Sequence, residues 1–179
     1  MPIMNRPAIA QPVGRTFIAA VTGAWCAYLV LDFLANAVFL APYWRATESY
    51  WLPPQELLRM IPLGYAGFAI YCTAATWLLI RLYGSGPTVM TGLRFGAVAG
   101  FFFGTIATLG SYSVFRMPVS ALMVWPVSAV VESAGAGAAA AWILAAEHPW
   151  RRAGLVFGSA VLLFVLSVLT QNLIVSKIR

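Results

Sequence analysis

Five apolar stretches alternate with short polar turns along the chain. They cover about residues 16–41, 57–80, 88–114, 119–146 and 153–175. A helix that spans a membrane needs about 20 consecutive, mostly apolar residues, and each stretch supplies them. We therefore predict an all-α fold, an integral membrane bundle of five transmembrane helices.

Two segments lie outside these stretches and are longer than a tight turn. Residues 1–15 form a polar N-terminal tail, and residues 42–56 form the longest connection. Tyrosine and tryptophan recur in this connection, and both prefer the headgroup layer of a membrane. We expect it to lie at the membrane interface, and we expect residues 1–179 to form a single transmembrane domain.

The composition excludes a soluble protein. Hydrophobic residues make up 61% of the chain and charged residues 9%, whereas a soluble domain carries about 25% charged residues. The net charge of +6 is spread over loops and the ends of apolar stretches, where basic residues set membrane topology. We therefore expect contact with membrane lipid and no binding of nucleic acid.

Glycine recurs every fourth residue in the third stretch, at Gly92, Gly96, Gly100 and Gly104. Such a face is a groove along the helix, into which a second helix backbone can fit. The expected partner is the fourth stretch, which is rich in small residues after Glu132. The alternatives are a contact with a second copy of the chain and a groove that binds a lipid, a quinone or a pigment.

Two acidic residues, Asp32 and Glu132, interrupt apolar stretches near their middle. A charge at that depth costs roughly 2.5 to 3.5 kcal/mol, so each carboxyl should face protein or water rather than lipid. Asn36 lies one helical turn after Asp32 and can share a hydrogen-bond partner with it. If the two carboxyls meet, they could relay protons or bind a cation, or form a structural clasp between helices, which we favour.

The surroundings of Glu132 are polar and irregular. Ser128 and Ser133 are near enough in sequence to reach its carboxyl, and Pro126 precedes it by about one turn. A proline inside a helix frees a backbone carbonyl, which is tolerated in a membrane only where a neighbour hydrogen-bonds to it. The candidate intramembrane site has five members: Asp32, Asn36, Ser128, Glu132 and Ser133.

The chain lacks the residues that most enzymes and metal sites need. His148 is its only histidine, so neither a bis-histidine haem nor a histidine-rich metal centre fits, and we expect no metal or cofactor. Cys26 and Cys72 both fall inside apolar stretches, where free thiols are expected rather than a disulfide. A Walker loop and a Ser-His-Asp arrangement are also missing from the sequence, so we predict that the chain is not an enzyme.

The order of several features resembles a known pattern. These features are Asp32, Phe39, the Tyr-Trp-Arg run at 43–45, the glycine-rich third stretch, the turn with Pro118 and the acid of the fourth stretch. Over about residues 16–144 they resemble a small bacterial family of four-helix membrane proteins with no assigned function. The resemblance implies a helical bundle in the bacterial inner (cytoplasmic) membrane and carries no activity.

Three functions remain open. The first is a non-enzymatic multi-pass subunit that packs within a larger membrane assembly, with other membrane subunits or further copies of itself as partners. The second is a small proton-coupled transporter or channel that uses Asp32 and Glu132. The third is a binder of lipid, quinone or pigment along the Gly92–Gly104 face. We favour the first, because the loops are minimal and a glycine groove suits helix docking.

Overall fold

The computed structural model describes residues 14–47, 52–84, 86–114 and 119–178, which are helical and contain no strand. The elements are α1 (Gly14–Phe33), a π-helical segment (Leu34–Phe39), α2 (Ala41–Ala46), α3 (Pro54–Tyr83), α4 (Val89–Val114), α5 (Val119–Leu122), α6 (Val124–Leu144) and α7 (Pro149–Ile178). Within these ranges, 5 helical stretches are long and apolar enough to cross a membrane: Gly14–Phe39, Gln55–Tyr83, Val89–Ser113, Val124–Leu144 and Pro149–Thr170. The predicted all-α bundle is confirmed, and the chain is a multi-pass membrane protein.

The helix ends differ from the predicted ends by a few residues, for reasons of backbone chemistry. The second and fifth spans begin earlier than expected, at Pro54 and Pro149, because proline needs no hydrogen bond in the first turn of a helix. The second span ends at Gly84, whose φ of 79° is the left-handed conformation that favours glycine. Part of the predicted interfacial connection forms α2. Residues 48–51, most of the polar tail and the turn before α5 lie outside the described ranges.

Helix α6 lies in the middle of the bundle. It packs against α4 on one side and against α1 on the other, while α3 and α7 pack mainly against α1. Alanine dominates the buried core, because small residues let helix backbones approach closely in a membrane. The buried alanines are Ala19, Ala20, Ala24, Ala129, Ala136, Ala140, Ala141 and Ala153. Cys26 and Cys72 are free thiols.

The glycine face of α4 lies against the backbone of α6. The α4 glycines, four residues apart, pair in order with residues of α6: Gly92 with Gly137, Gly96 with Ser133, Gly100 with Ala129 and Gly104 with Pro126. A methyl group added at any of these four glycines would overlap atoms of α6. The expected pairing of the third and fourth stretches is therefore confirmed. Because α6 fills the groove, this packing contradicts the alternatives of a flat ligand or a second copy of the chain at that face.

Pro126 divides the fourth apolar stretch, as expected, although the break lies slightly earlier. Helix α5 ends at Leu122 and α6 begins at Val124. Pro126 has no N–H to donate to the Leu122 carbonyl four residues earlier. The Thr108 hydroxyl of α4 donates to that carbonyl instead, at 3.4 Å. A neighbouring helix therefore satisfies the carbonyl that the proline leaves free, which makes the break tolerable inside a membrane.

The π-helical segment at the end of the first span has no counterpart in the sequence-based prediction. Here the Leu40 amide donates to the Ala35 carbonyl at 2.8 Å, a hydrogen bond that spans five residues instead of four. Segments of this kind often occur at functional sites. This one contains Asn36 and follows directly on the helical turn that carries Asp32.

Candidate functional site

A cavity of about 240 Å³ lies between α1, α3, α4 and α6. It lies near the end of the bundle at which the first span finishes and α6 begins. Its polar lining comprises Tyr28, Asp32, Asn36, Ser128 and Glu132. Four of the five residues of the predicted intramembrane site therefore line one cavity, and the two acidic residues do so from neighbouring helices.

The α1 side of the cavity carries polar residues spaced four apart, so that they share one helix face. Asn36 Nδ2 donates to the Asp32 carboxyl oxygen Oδ1 at 2.9 Å and to the Asp32 carbonyl at 3.0 Å. Trp44 Nε1 on α2 donates to Asn36 Oδ1 at 3.1 Å. Asn36 therefore holds the Asp32 carboxyl in place and ties it to the short interfacial helix α2.

The α6 side of the cavity carries Glu132, which is only 3% exposed. Ser128 lies one helical turn earlier in the same lining and donates its hydroxyl to the Trp125 carbonyl at 3.2 Å, and Tyr28 lines the cavity from α1. Its oxygen Oε1 is buried and has no hydrogen-bond partner in the part of the chain that the structure describes. A buried acceptor without a donor costs about 1 to 3 kcal/mol. Oε1 is therefore an unsatisfied acceptor in the wall of the cavity, and a proton on this carboxyl would lower that cost.

The two carboxyls lie near enough for the charge on Asp32 to act on Glu132. Among the described lining residues there is no arginine, lysine or histidine. Two carboxylates in a low-dielectric site repel each other and lose the hydration they had in water. The positive charge that balances them must therefore come from outside the lining, as protons or as a bound cation.

Ser133 lies elsewhere, although its neighbour Glu132 faces the cavity. The Tyr71 hydroxyl of α3 donates to Ser133 Oγ at 2.8 Å, and Ser133 also touches the glycine face of α4. Consecutive residues of a helix point about 100° apart, since one turn takes about 3.6 residues. Ser133 therefore belongs to the packing of α3, α4 and α6, and its predicted place beside the Glu132 carboxyl is corrected.

Four aromatic residues of the cavity were not among the predicted site residues: Tyr28, Phe68, Phe103 and Trp125. The Tyr28 and Phe68 ring centroids are 4.6 Å apart, and Phe103 stacks on Tyr71 of α3 at 4.5 Å. The position of Tyr28, four residues before Asp32, is a signal in the sequence that could have revealed it. Phe68 and Phe103 lie on other helices, and no spacing along the sequence predicts that they line the cavity.

Within the described ranges, no group of three or more histidine, cysteine, aspartate or glutamate residues could hold a metal ion. Comparison with family models, with curated proteins and with solved structures gives no match for this chain. The resemblance to a bacterial four-helix family therefore stays a prediction.

Proposed function

We propose that this chain is a small proton-coupled transporter or channel in which Asp32 and Glu132 are the proton-binding groups. One observation carries the proposal: both carboxyls line the same cavity within the membrane spans, and no basic side chain is among the described lining. Intramembrane acids that face a cavity are typical of ion pathways and proton relays.

The geometry supports different tasks for the two acids. Asp32 is held by Asn36, so its carboxyl stays in one position. Glu132 has a buried oxygen, Oε1, without a hydrogen-bond partner among the described residues, at which a proton can bind without displacing a hydrogen bond. The cavity of about 240 Å³ has room for several water molecules at about 30 Å³ each, through which a proton could pass between the two carboxyls.

Proton flux into liposomes tests the proposal. The purified chain is reconstituted around the internal pH dye pyranine, a membrane potential is imposed with potassium and valinomycin, and the initial rate of acidification is recorded. We expect Asp32→Asn and Glu132→Gln to reduce this rate to that of protein-free liposomes. Glu147→Gln makes the same chemical change at an exposed position between α6 and α7 and should leave the rate unchanged.

A coupled transporter moves protons only together with its second solute. The assay is therefore repeated with sodium, potassium and small organic amines as the second solute. A rate equal to that of protein-free liposomes under every condition contradicts the proposal. A rate that survives both Asp32→Asn and Glu132→Gln contradicts it as well, because protons would then bypass the cavity.

A second candidate function is supported by the exposure of the outer helices. In α3 no residue from Gln55 to Gly67 is buried, and in α7 only Ala153 and Ser167 are buried among the residues whose side chains are described. Such surfaces contact either lipid or other membrane proteins. A non-enzymatic subunit of a larger assembly would use them for docking. A monodisperse monomer that purifies in mild detergent without a partner would count against this function.

The host membrane is also part of the proposal. Helical spans fit the bacterial inner membrane, whereas proteins of the bacterial outer membrane are β-barrels. The resemblance to a bacterial family supports the same location. Expression of the chain with a C-terminal fluorescent tag, followed by membrane fractionation, checks it.

A further inference from the structure

The cavity combines acidic groups with aromatic walls. Phe68 of α3, Phe103 of α4 and Trp125 of α6 line it together with the Tyr28 ring. The face of an aromatic ring carries partial negative charge and attracts cations, and this attraction strengthens when the site excludes water. The walls and the two carboxyls therefore favour the same ligand charge, which is positive.

The same lining argues against a small inorganic cation. Calcium takes six to eight oxygen ligands, and magnesium demands about six in near-octahedral geometry. The Asn36 side-chain oxygen already accepts a hydrogen bond from Trp44. No cluster of three metal-ligating side chains occurs in the described ranges. A cation with apolar substituents needs fewer oxygen ligands, because its surface can pack against aromatic rings instead.

Burial of the acid points to a ligand rather than to a solvated acidic patch. Glu132 is 3% exposed, lines the cavity and keeps Oε1 without a partner among the described residues. The Glu132 carboxyl is therefore a buried acidic group in the wall of the cavity that lacks a hydrogen-bond donor at Oε1. An ammonium cation in the cavity would supply positive charge beside this carboxyl.

We infer that the cavity is a binding site for a small organic ammonium cation. The cation places its charge beside the Glu132 carboxyl, with Asp32 as the second negative group, and its apolar substituents lie against Phe68 and Phe103. This inference rests on the proposed function and names its solute. A proton on Glu132 leaves to water as the cation enters, so that one positive charge replaces another.

Equilibrium binding of a defined probe tests the inference. The probe is radiolabelled benzyltrimethylammonium, whose aromatic ring suits the aromatic side chains of the cavity and whose quaternary nitrogen suits its two carboxyls. It is added to the full chain in lipid nanodiscs. We expect saturable binding with one site per chain. Glu132→Gln should weaken it by at least about thirtyfold, the usual cost of removing one partner of a buried charge pair, and Glu147→Gln should not change it.

Two comparisons separate recognition of charge from general apolar binding. Neopentylbenzene has the shape of the probe with carbon in place of the charged nitrogen, and it should fail to displace the probe. Phe68→Leu should weaken binding by roughly threefold to tenfold through loss of the ring face, whereas Phe68→Tyr should preserve it. Phe68→Tyr keeps the ring and is the matched control, and an unfolding midpoint of Phe68→Leu equal to that of wild type shows that its loss of binding does not reflect misfolding.

The outcomes distinguish this inference from the proposed function. Absence of saturable binding to wild-type protein, displacement by neopentylbenzene, or unchanged binding in Glu132→Gln would overturn the inference. If sodium displaces the probe and alone supports proton flux that depends on Glu132, the solute is an inorganic cation. In that case the inference fails and the proposed function stands. If the probe binds at Glu132 but no condition supports proton flux, the inference stands and the transport function fails.

Discussion

The Thr108 hydroxyl on α4 donates a hydrogen bond, 3.4 Å long, to the Leu122 carbonyl at the end of α5. Pro126 deprives this carbonyl of its usual helical donor. A side chain of α4 thus supplies the hydrogen bond that the backbone of the fourth span lacks. The bond lies close to the cavity, one helical turn beyond Gly104. The bond lets the fourth span bend just before it presents Ser128 and Glu132 to the cavity.

We predict that Thr108→Val lowers the free energy of unfolding by about 1 kcal/mol, because the Leu122 carbonyl is then buried without a donor. In a Pro126→Ala background the same substitution should cost less, since residue 126 can then donate its own N–H to Leu122. Unfolding in mixed detergent and SDS micelles is measured for wild type, Thr108→Val, Pro126→Ala and the double variant. The difference between the two costs of Thr108→Val gives the coupling between Thr108 and Pro126. Equal costs of Thr108→Val in both backgrounds would show that the bond does not compensate for the proline.

We predict opposite effects for two glycine substitutions in α4. Gly96→Ala forces a methyl group into the Ser133 carbonyl of α6 and should destabilise the bundle by about 1 to 3 kcal/mol, as overpacking does. Gly110→Ala meets no atom within 4 Å and should be neutral or stabilising by up to about 1 kcal/mol, because alanine favours helix. The same unfolding assay compares them. A similar loss at both positions would mean that the glycine contact does not hold α4 to α6.

Hydrophobic length was enough to predict the five spans, and the spacing of small residues was enough to predict that α4 meets α6. These features are local or periodic, so they can be read from one chain. The π-helical segment around Asn36 could not be predicted in this way. Its extra residue per turn accompanies the contact of Asn36 with Trp44, which forms only when α2 folds back.

Only part of the candidate site could be predicted, because only part of it depends on spacing within one helix. Asp32 and Asn36 share a face by helical spacing, and Ser128 shares one with Glu132. Spacing also argues against a place for Ser133 in the cavity, because Ser133 is adjacent to Glu132 and its side chain points about 100° away. The meeting of Asp32 with Glu132 in one cavity depends on how α1 and α6 pack, and no spacing within one helix can reveal it.

We predict that Asn36→Ala weakens both the bundle and its transport activity. The Asn36 amide donates to Asp32 and accepts from Trp44, and each bond contributes about 0.5 to 1.5 kcal/mol. Without them, the Asp32 carboxyl is free to leave its position, so proton flux should fall together with stability. Asn172→Ala removes the same side chain at an exposed position of α7 and serves as the control. Full proton flux in Asn36→Ala would show that the position of Asp32 does not matter for transport.

The two serines near Glu132 should separate transport from stability. Ser128 lines the cavity one helical turn before Glu132, so Ser128→Ala should slow proton flux into liposomes with little change in unfolding. Ser133 accepts from Tyr71 at 2.8 Å outside the cavity, so Ser133→Ala should lower stability by about 0.6 kcal/mol, the mean for hydrogen bonds between membrane helices, and leave proton flux unchanged. Tyr71→Phe should reproduce the Ser133→Ala loss, and the double variant should lose no more than either single one. If Ser133→Ala slows proton flux as much as Ser128→Ala does, the cavity is not the only route by which Glu132 exchanges its proton.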